Sequence, residues 1–255
     1  MTACLPHQLK KRKRKAHPMN ASNSSDIASP SQNRPSADSP AKLHVRGELA
    51  LFIVVIINSL GVVLMLRSGS GISAISSVPY AFFEILPVLS LGTWTYIFQG
   101  LLVLSLMLLC RRFVPGYLLS FVTGFFFGIM MDVHRVWIDR LPQTIPLQIF
   151  YFVSSYLIIC FGIALSNRCK MPIIPTDLFP REVSAILKIP YPKVKIPFDV
   201  ICLLTTGVLT LVFFGGIRGL GIGTFLAAFT MGKVIGIIGD FIDRHAVFSS
   251  IMEKV

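Results

Sequence analysis

The chain has 255 residues, 53% hydrophobic and only 14% charged, with a mean hydropathy of +0.71. Soluble domains carry about a quarter charged residues, so this balance excludes an ordinary soluble enzyme or binding module and indicates a multi-pass membrane protein. The formal charge is +12, but residues 1–46 hold nine Lys/Arg and two Asp, which places +7 in that stretch and +5 in all the rest.

The N-terminal stretch contains Lys10-Lys-Arg-Lys-Arg-Lys15 followed by a Ser/Pro/Asn-rich run. It has too few large apolar residues to offset chain entropy and is expected to be a disordered tail over 1–43. No aromatic residues interleave with the cluster, which argues against nucleic acid as a partner. The cluster reads instead as a topological anchor that also meets anionic lipids at the surface of the bilayer. It is no cleavable signal peptide, because about thirty polar residues separate it from the first apolar run. Met19 offers a second start that would remove it.

Six apolar segments follow, near Leu49–Leu66, Thr93–Cys110, Gly116–Met131, Leu147–Asn167, Val200–Gly216 and Leu220–Gly239. Each approaches the roughly 20 residues a helix needs to cross a bilayer core. With the N-terminus inside and six crossings, 19 Lys/Arg fall inside and four outside, Arg67, Arg135, Arg140 and Arg218, with Lys233 left within a helix. This asymmetry predicts a cell-membrane protein with both termini in the cytoplasm.

The chain also repeats itself. A shift of 101 lays Leu60-Gly61-Val62 on Phe161-Gly162-Ile163, Arg67 on Arg168 and Pro79 on Pro180; a shift of 108 lays Gly124-x-x-x-Gly128-x-x-x-Asp132 on Gly232-x-x-x-Gly236-x-x-x-Asp240. Residues at i, i+4 and i+8 share a helix face, so each stripe reads either as plain close packing or as an interface between the two halves. Three crossings per half would invert the second copy. The expected fold is therefore all-α, a polytopic membrane bundle of about six crossings in two inverted three-helix repeats. Repeat one covers 48–138 and repeat two 147–245 of a transmembrane domain at 44–245, with 246–255 a short cytoplasmic tail. Each repeat has a Gly/Pro-broken or re-entrant segment after its first helix, as in Gly61–Glu84. Broken backbone survives at membrane depth only when buried in protein or lining a wet cavity.

The residues Arg67-Ser-Gly-Ser-Gly-Ile-Ser-Ala-Ile-Ser-Ser-Val-Pro79, Leu91-Gly-Thr-Trp-Thr95, Pro175-Thr-Asp177 and Lys195-Ile-Pro-Phe-Asp199 resemble the YczE/YyaS/YitT-type family of bacterial membrane proteins. The likeness covers about 45–245. It implies a bacterial cytoplasmic-membrane protein without assigned biochemistry.

Ionisable groups at membrane depth are the candidates for chemistry. Lys233 lies mid-segment, with Asp240 seven residues on; Glu84 and Asp177 lie in the two broken segments; Lys195 and Asp199 end the last motif. Asp199, taken to open the fifth crossing, has a sufficient structural reading in the helix macrodipole. Arg67 and Arg168 could cap helix C-termini or pair locally as Arg67–Glu84 and Arg168–Asp177. Five scattered cysteines read as small apolar fillers, and no Cys/His spacing suggests a metal. Gly215–Thr224 lacks the lysine and preceding strand of a phosphate-binding loop and reads as a turn with Thr224 starting the sixth crossing. An aspartyl enzyme is disfavoured, since inversion would put Asp132 and Asp240 at opposite faces, too far apart to share a proton. No catalytic residue, cofactor or metal is therefore expected. Two functions remain: a secondary transporter or permease for a small polar or charged solute, using Arg67, Glu84, Asp177, Lys195, Asp199 and Lys233, or a non-transporting scaffold or accessory protein whose G-x-x-x-G faces make contacts and leave room for a homo-oligomer.

Overall fold

The computed structural model describes residues 43–111, 114–169 and 171–249. The basic cluster, Met19 and the end of the C-terminal tail lie outside the described residues. The elements run β1 (Leu43–Arg46), α1 (Gly47–Arg67), α2 (Ala74–Ile85), α3 (Leu91–Cys110), α4 (Pro115–Ile138), α5 (Ile145–Ser166), α6 (Pro175–Leu187), α7 (Tyr191–Phe214), α8 (Ile222–His245) and β2 (Ala246–Ser249). The fold is the expected helical bundle, with one small addition: β1 and β2 pair in parallel, Leu43 opposite Ala246.

Six helices, α1, α3, α4, α5, α7 and α8, are long and apolar enough to cross a membrane. Their outward faces are apolar as well: Leu101, Leu104, Leu108, Val122 and Phe126 are all exposed. A surface of that kind belongs against hydrocarbon. The remaining pair, α2 and α6, are short, and Pro79 and Pro180 interrupt them.

Helix limits move where local chemistry outweighs hydropathy. The crossing expected at Val200–Gly216 begins instead at Tyr191, because Pro192 occupies the first turn, where its missing N–H is harmless. Asp199 therefore lies inside α7, not at its start, and the macrodipole does not account for it. The Gly215–Thr224 run is the expected turn: Gly215 and Gly219 have positive φ, Gly221 caps α8, and its N–H donates to Thr224 Oγ1 at 3.3 Å.

The core seam joins α1 to α5 antiparallel. Gly47 lies against Cys169, Asn58 against Gly162 and Gly61 against Ile159, while Arg67 donates to the Leu141 carbonyl just before α5. A Cβ at Gly61 would fall 2.7 Å from Ile159, so close approach requires glycine there. Arg67 and Arg168 consequently sit at opposite ends of the bundle. Around this seam the contacts exchange in pairs: α1 meets α4 as α5 meets α8, α3 meets α4 as α7 meets α8, and α2 packs on α7 as α6 packs on α3.

Candidate functional site: a cavity between two broken helices

Halfway along the bundle lies a small cavity of about 40 Å³, room for roughly three waters. The first turns of α2 (Ser73–Ser76) and α6 (Ile174–Asp177) both open onto it, and Asn58 of α1 and Lys195 and Asp199 of α7 complete its polar lining. Phe127, Ile159, Ile163 and Met231 supply apolar walls.

Its electrostatics rest on one ion pair and one carboxylate. Lys195 Nζ donates to both oxygens of Asp199, at 2.5 and 2.7 Å, and the two side chains are 4% and 1% exposed. They stand at i and i+4 on α7, so a single helix face positions both. Asp177 is 5% exposed, and no hydrogen bond or ion pair reaches its carboxylate among the described residues. It occupies the third position of α6, where a negative charge opposes the positive end of that helix.

The first half-helix is built differently. Its capping residue Ser73 makes no side-chain bond to the backbone, and its first turn contains no acid. The N–H groups of Ala74, Ile75 and Ser76 find no acceptor among the described residues, the first backbone bond being Ser77 N–H to Ser73 O at 3.0 Å. Ser73 Oγ donates to Ser76 Oγ at 3.0 Å, which leaves the Ser76 hydroxyl hydrogen free. Pro79 and Pro180, having no N–H, remove the donors that the Ile75 and Thr176 carbonyls would otherwise have.

Of the six candidate binding residues, the cavity gathers Asp177, Lys195 and Asp199 and leaves out Arg67, Glu84 and Lys233. The expected local pairs do not form. Arg67 holds the Leu141 carbonyl, Glu84 lies 3.6 Å from Arg218, and Arg168 makes a two-pronged bond to Asp243 at 2.7 Å on each arm. Each partner comes from a distant element at the same end of the bundle, which sequence proximity does not disclose. Lys233 is exposed on the outer face of α8, as are Gly236 and Asp240.

The glycine stripes need a similar correction. Gly128 packs on the backbone of Gly92 and Gly232 on that of Pro192, so packing matches these two at a shift of 232 − 128 = 104 in place of 108. At a shift of 104 only Gly128 with Gly232 still matches, while Asp132 falls on Gly236, so residue identity favours 108 and helix packing 104, one helical turn apart. Gly124 faces Gln99, a Cβ at Gly236 would meet nothing within 4 Å, and Gly236 and Asp240 take no part in the interface between the halves. Asp132 instead caps α3, accepting from Ser90 Oγ at 2.6 Å and Gly92 N–H at 2.9 Å.

The chain's residues 45–240 match a family described as a family of unknown function, DUF6198. The chain belongs to this family. No curated protein and no solved structure matches it. The six long apolar helices mark a multi-pass membrane protein, the family is one of unknown function, and the chemistry must be read from the residues themselves.

Several polar residues of this DUF6198 member were invisible to charge-based reading. Asn58 is 4% exposed with an unpartnered Oδ1, and Gln99 is fully buried with both amide atoms unpartnered. Matching the buried faces of α3 and α7 pairs Thr95 with Lys195, Gln99 with Asp199 and Val103 with Leu203. In that matching Gln99 takes the place of Asp199 without its charge. A lone amide inside an apolar run was the available signal for both. Ser73 and Ser76 gave none beyond the Gly/Ser-rich break.

Proposed function

We propose that the two halves are inverted repeats and that the protein is a secondary transporter or permease for a small polar or charged solute in the bacterial cytoplasmic membrane, with the Lys/Arg-rich end of the bundle facing the cytoplasm. The YczE/YyaS/YitT-type resemblance belongs to the same proposal. The observation that carries it is the meeting of two proline-broken half-helices, one from each half, at a buried cavity holding Asp177, Lys195 and Asp199. Buried ionisable groups at membrane depth are expensive and are kept where they bind or move something. The exchange of contacts between halves supports a rocking motion that would open the cavity to one face and then the other.

The test is uptake by proteoliposomes across a panel of labelled small solutes. Uptake by the wild type that Asp177→Asn abolishes is the expected result. Intact, well-folded protein that moves no solute in the panel and co-purifies tightly with a membrane partner would overturn it.

A scaffold or accessory role draws on a different observation, the outer face of α8. Lys233, midway along that helix, is exposed beside Gly236, and a lysine facing lipid costs about 3 kcal/mol unless it snorkels or meets a partner.

A further inference from the structure

We infer that the cavity binds a small zwitterion, a solute carrying an ammonium and a carboxylate group a few bonds apart. This deepens the transporter reading and rests on it for the direction of movement, though not for binding itself. The cavity has two chemically opposite sides. On one, the N-terminus of the 12-residue α2 presents the unpaired N–H groups of Ala74, Ile75 and Ser76 together with the free Ser76 hydroxyl, and no acid in that turn offsets the positive end of the helix. A carboxylate fits such a terminus.

On the other side stand acceptors. The Asp177 carboxylate, buried and without a hydrogen bond among the described residues, lines that space beside Thr176. An ammonium group supplies the hydrogens these oxygens lack. The charges then balance. Lys195 and Asp199 neutralise one another, Asp177 is matched by the solute's ammonium group, and the solute's carboxylate by the α2 terminus. A simple anion would leave Asp177 unmatched, and a simple cation would leave the α2 donors unmatched; both omissions are penalised in a buried site. The space admits roughly three waters, which limits the solute to a few heavy atoms between its charges.

Thermal unfolding of the full chain in detergent, with glycine, β-alanine, acetate or methylammonium as probe, decides the matter, because a ligand of the folded state raises Tm by mass action. The expected result is a rise of a few degrees with a zwitterion at concentrations where acetate and methylammonium give none. Asp177→Asn should abolish that rise, and the milder Ser76→Ala should weaken apparent affinity by about tenfold. No rise with either zwitterion, or an equal rise with acetate or methylammonium alone, overturns the inference. Zwitterion binding without uptake would uphold it and sink the transporter reading; uptake of another solute class without zwitterion binding would do the reverse.

Discussion

At the scale of single residues, the Lys195–Asp199 pair dominates. Two fully desolvated charges held at 2.5 and 2.7 Å are tolerable only together. Removing one leaves an uncompensated buried charge, at about 3–5 kcal/mol, whereas replacing both with apolar residues of similar volume is often neutral. Lys195→Met should therefore lower the midpoint of thermal unfolding strongly, and the double variant Lys195→Met/Asp199→Leu should recover most of the loss while losing uptake. Chemical or thermal denaturation of the three proteins side by side checks this. Sequence reading found these two residues and Asp177 because charge inside an apolar run is conspicuous. Asn58 and Gln99 escaped because an amide carries no charge and its burial depends on which way a helix faces.

At the scale of elements, the break after α1 shows how sequence fixes a shape that hydropathy cannot. Arg67-Ser-Gly-Ser-Gly71 ends in a residue at φ +101°, and the loop is stitched to the start of α8: Ile72 N–H donates to Gly219 O and Gly223 N–H to Ser70 O, each at 3.0 Å. A Cβ at Gly71 would fall 2.0 Å from Thr224 Oγ1 and 2.5 Å from Gly221 N. Gly71→Ala should thus destabilise by about 3 kcal/mol through backbone strain and collision, seen as a lower Tm and a poorer yield of monodisperse protein. The same scale explains a false lead. Lys233 sat mid-segment and looked central, but α8 turns its other side, Ala227, Ala228, Met231 and Ile235, to the core. Lys233→Met should leave uptake within about twofold of wild type, the scatter expected of an outer-face change; a complete loss would return Lys233 to the site.

At the scale of the molecule, the number of crossings was legible because six apolar stretches of bilayer length have no other home. The proposed duplication draws on Gly61, Arg67 and Pro79 and their counterparts, but for the last helices residue identity favours a shift of 108 and helix packing one of 104. Long-range partners such as Arg168–Asp243 and Glu84–Arg218 depend on which helix ends meet, which emerges only once the halves are packed.

A transporter of this build must open the cavity between its half-helices to each membrane face in turn. Ser76→Cys, introduced into a chain in which Cys4 and Cys110 are replaced by serine and the remaining thiols Cys160, Cys169 and Cys202 are buried, reports on this with membrane-impermeant thiol reagents applied from one side at a time. The prediction is labelling from each face, with a saturating zwitterion protecting the site from both. Labelling from one face only, or from neither in well-folded protein, would contradict it.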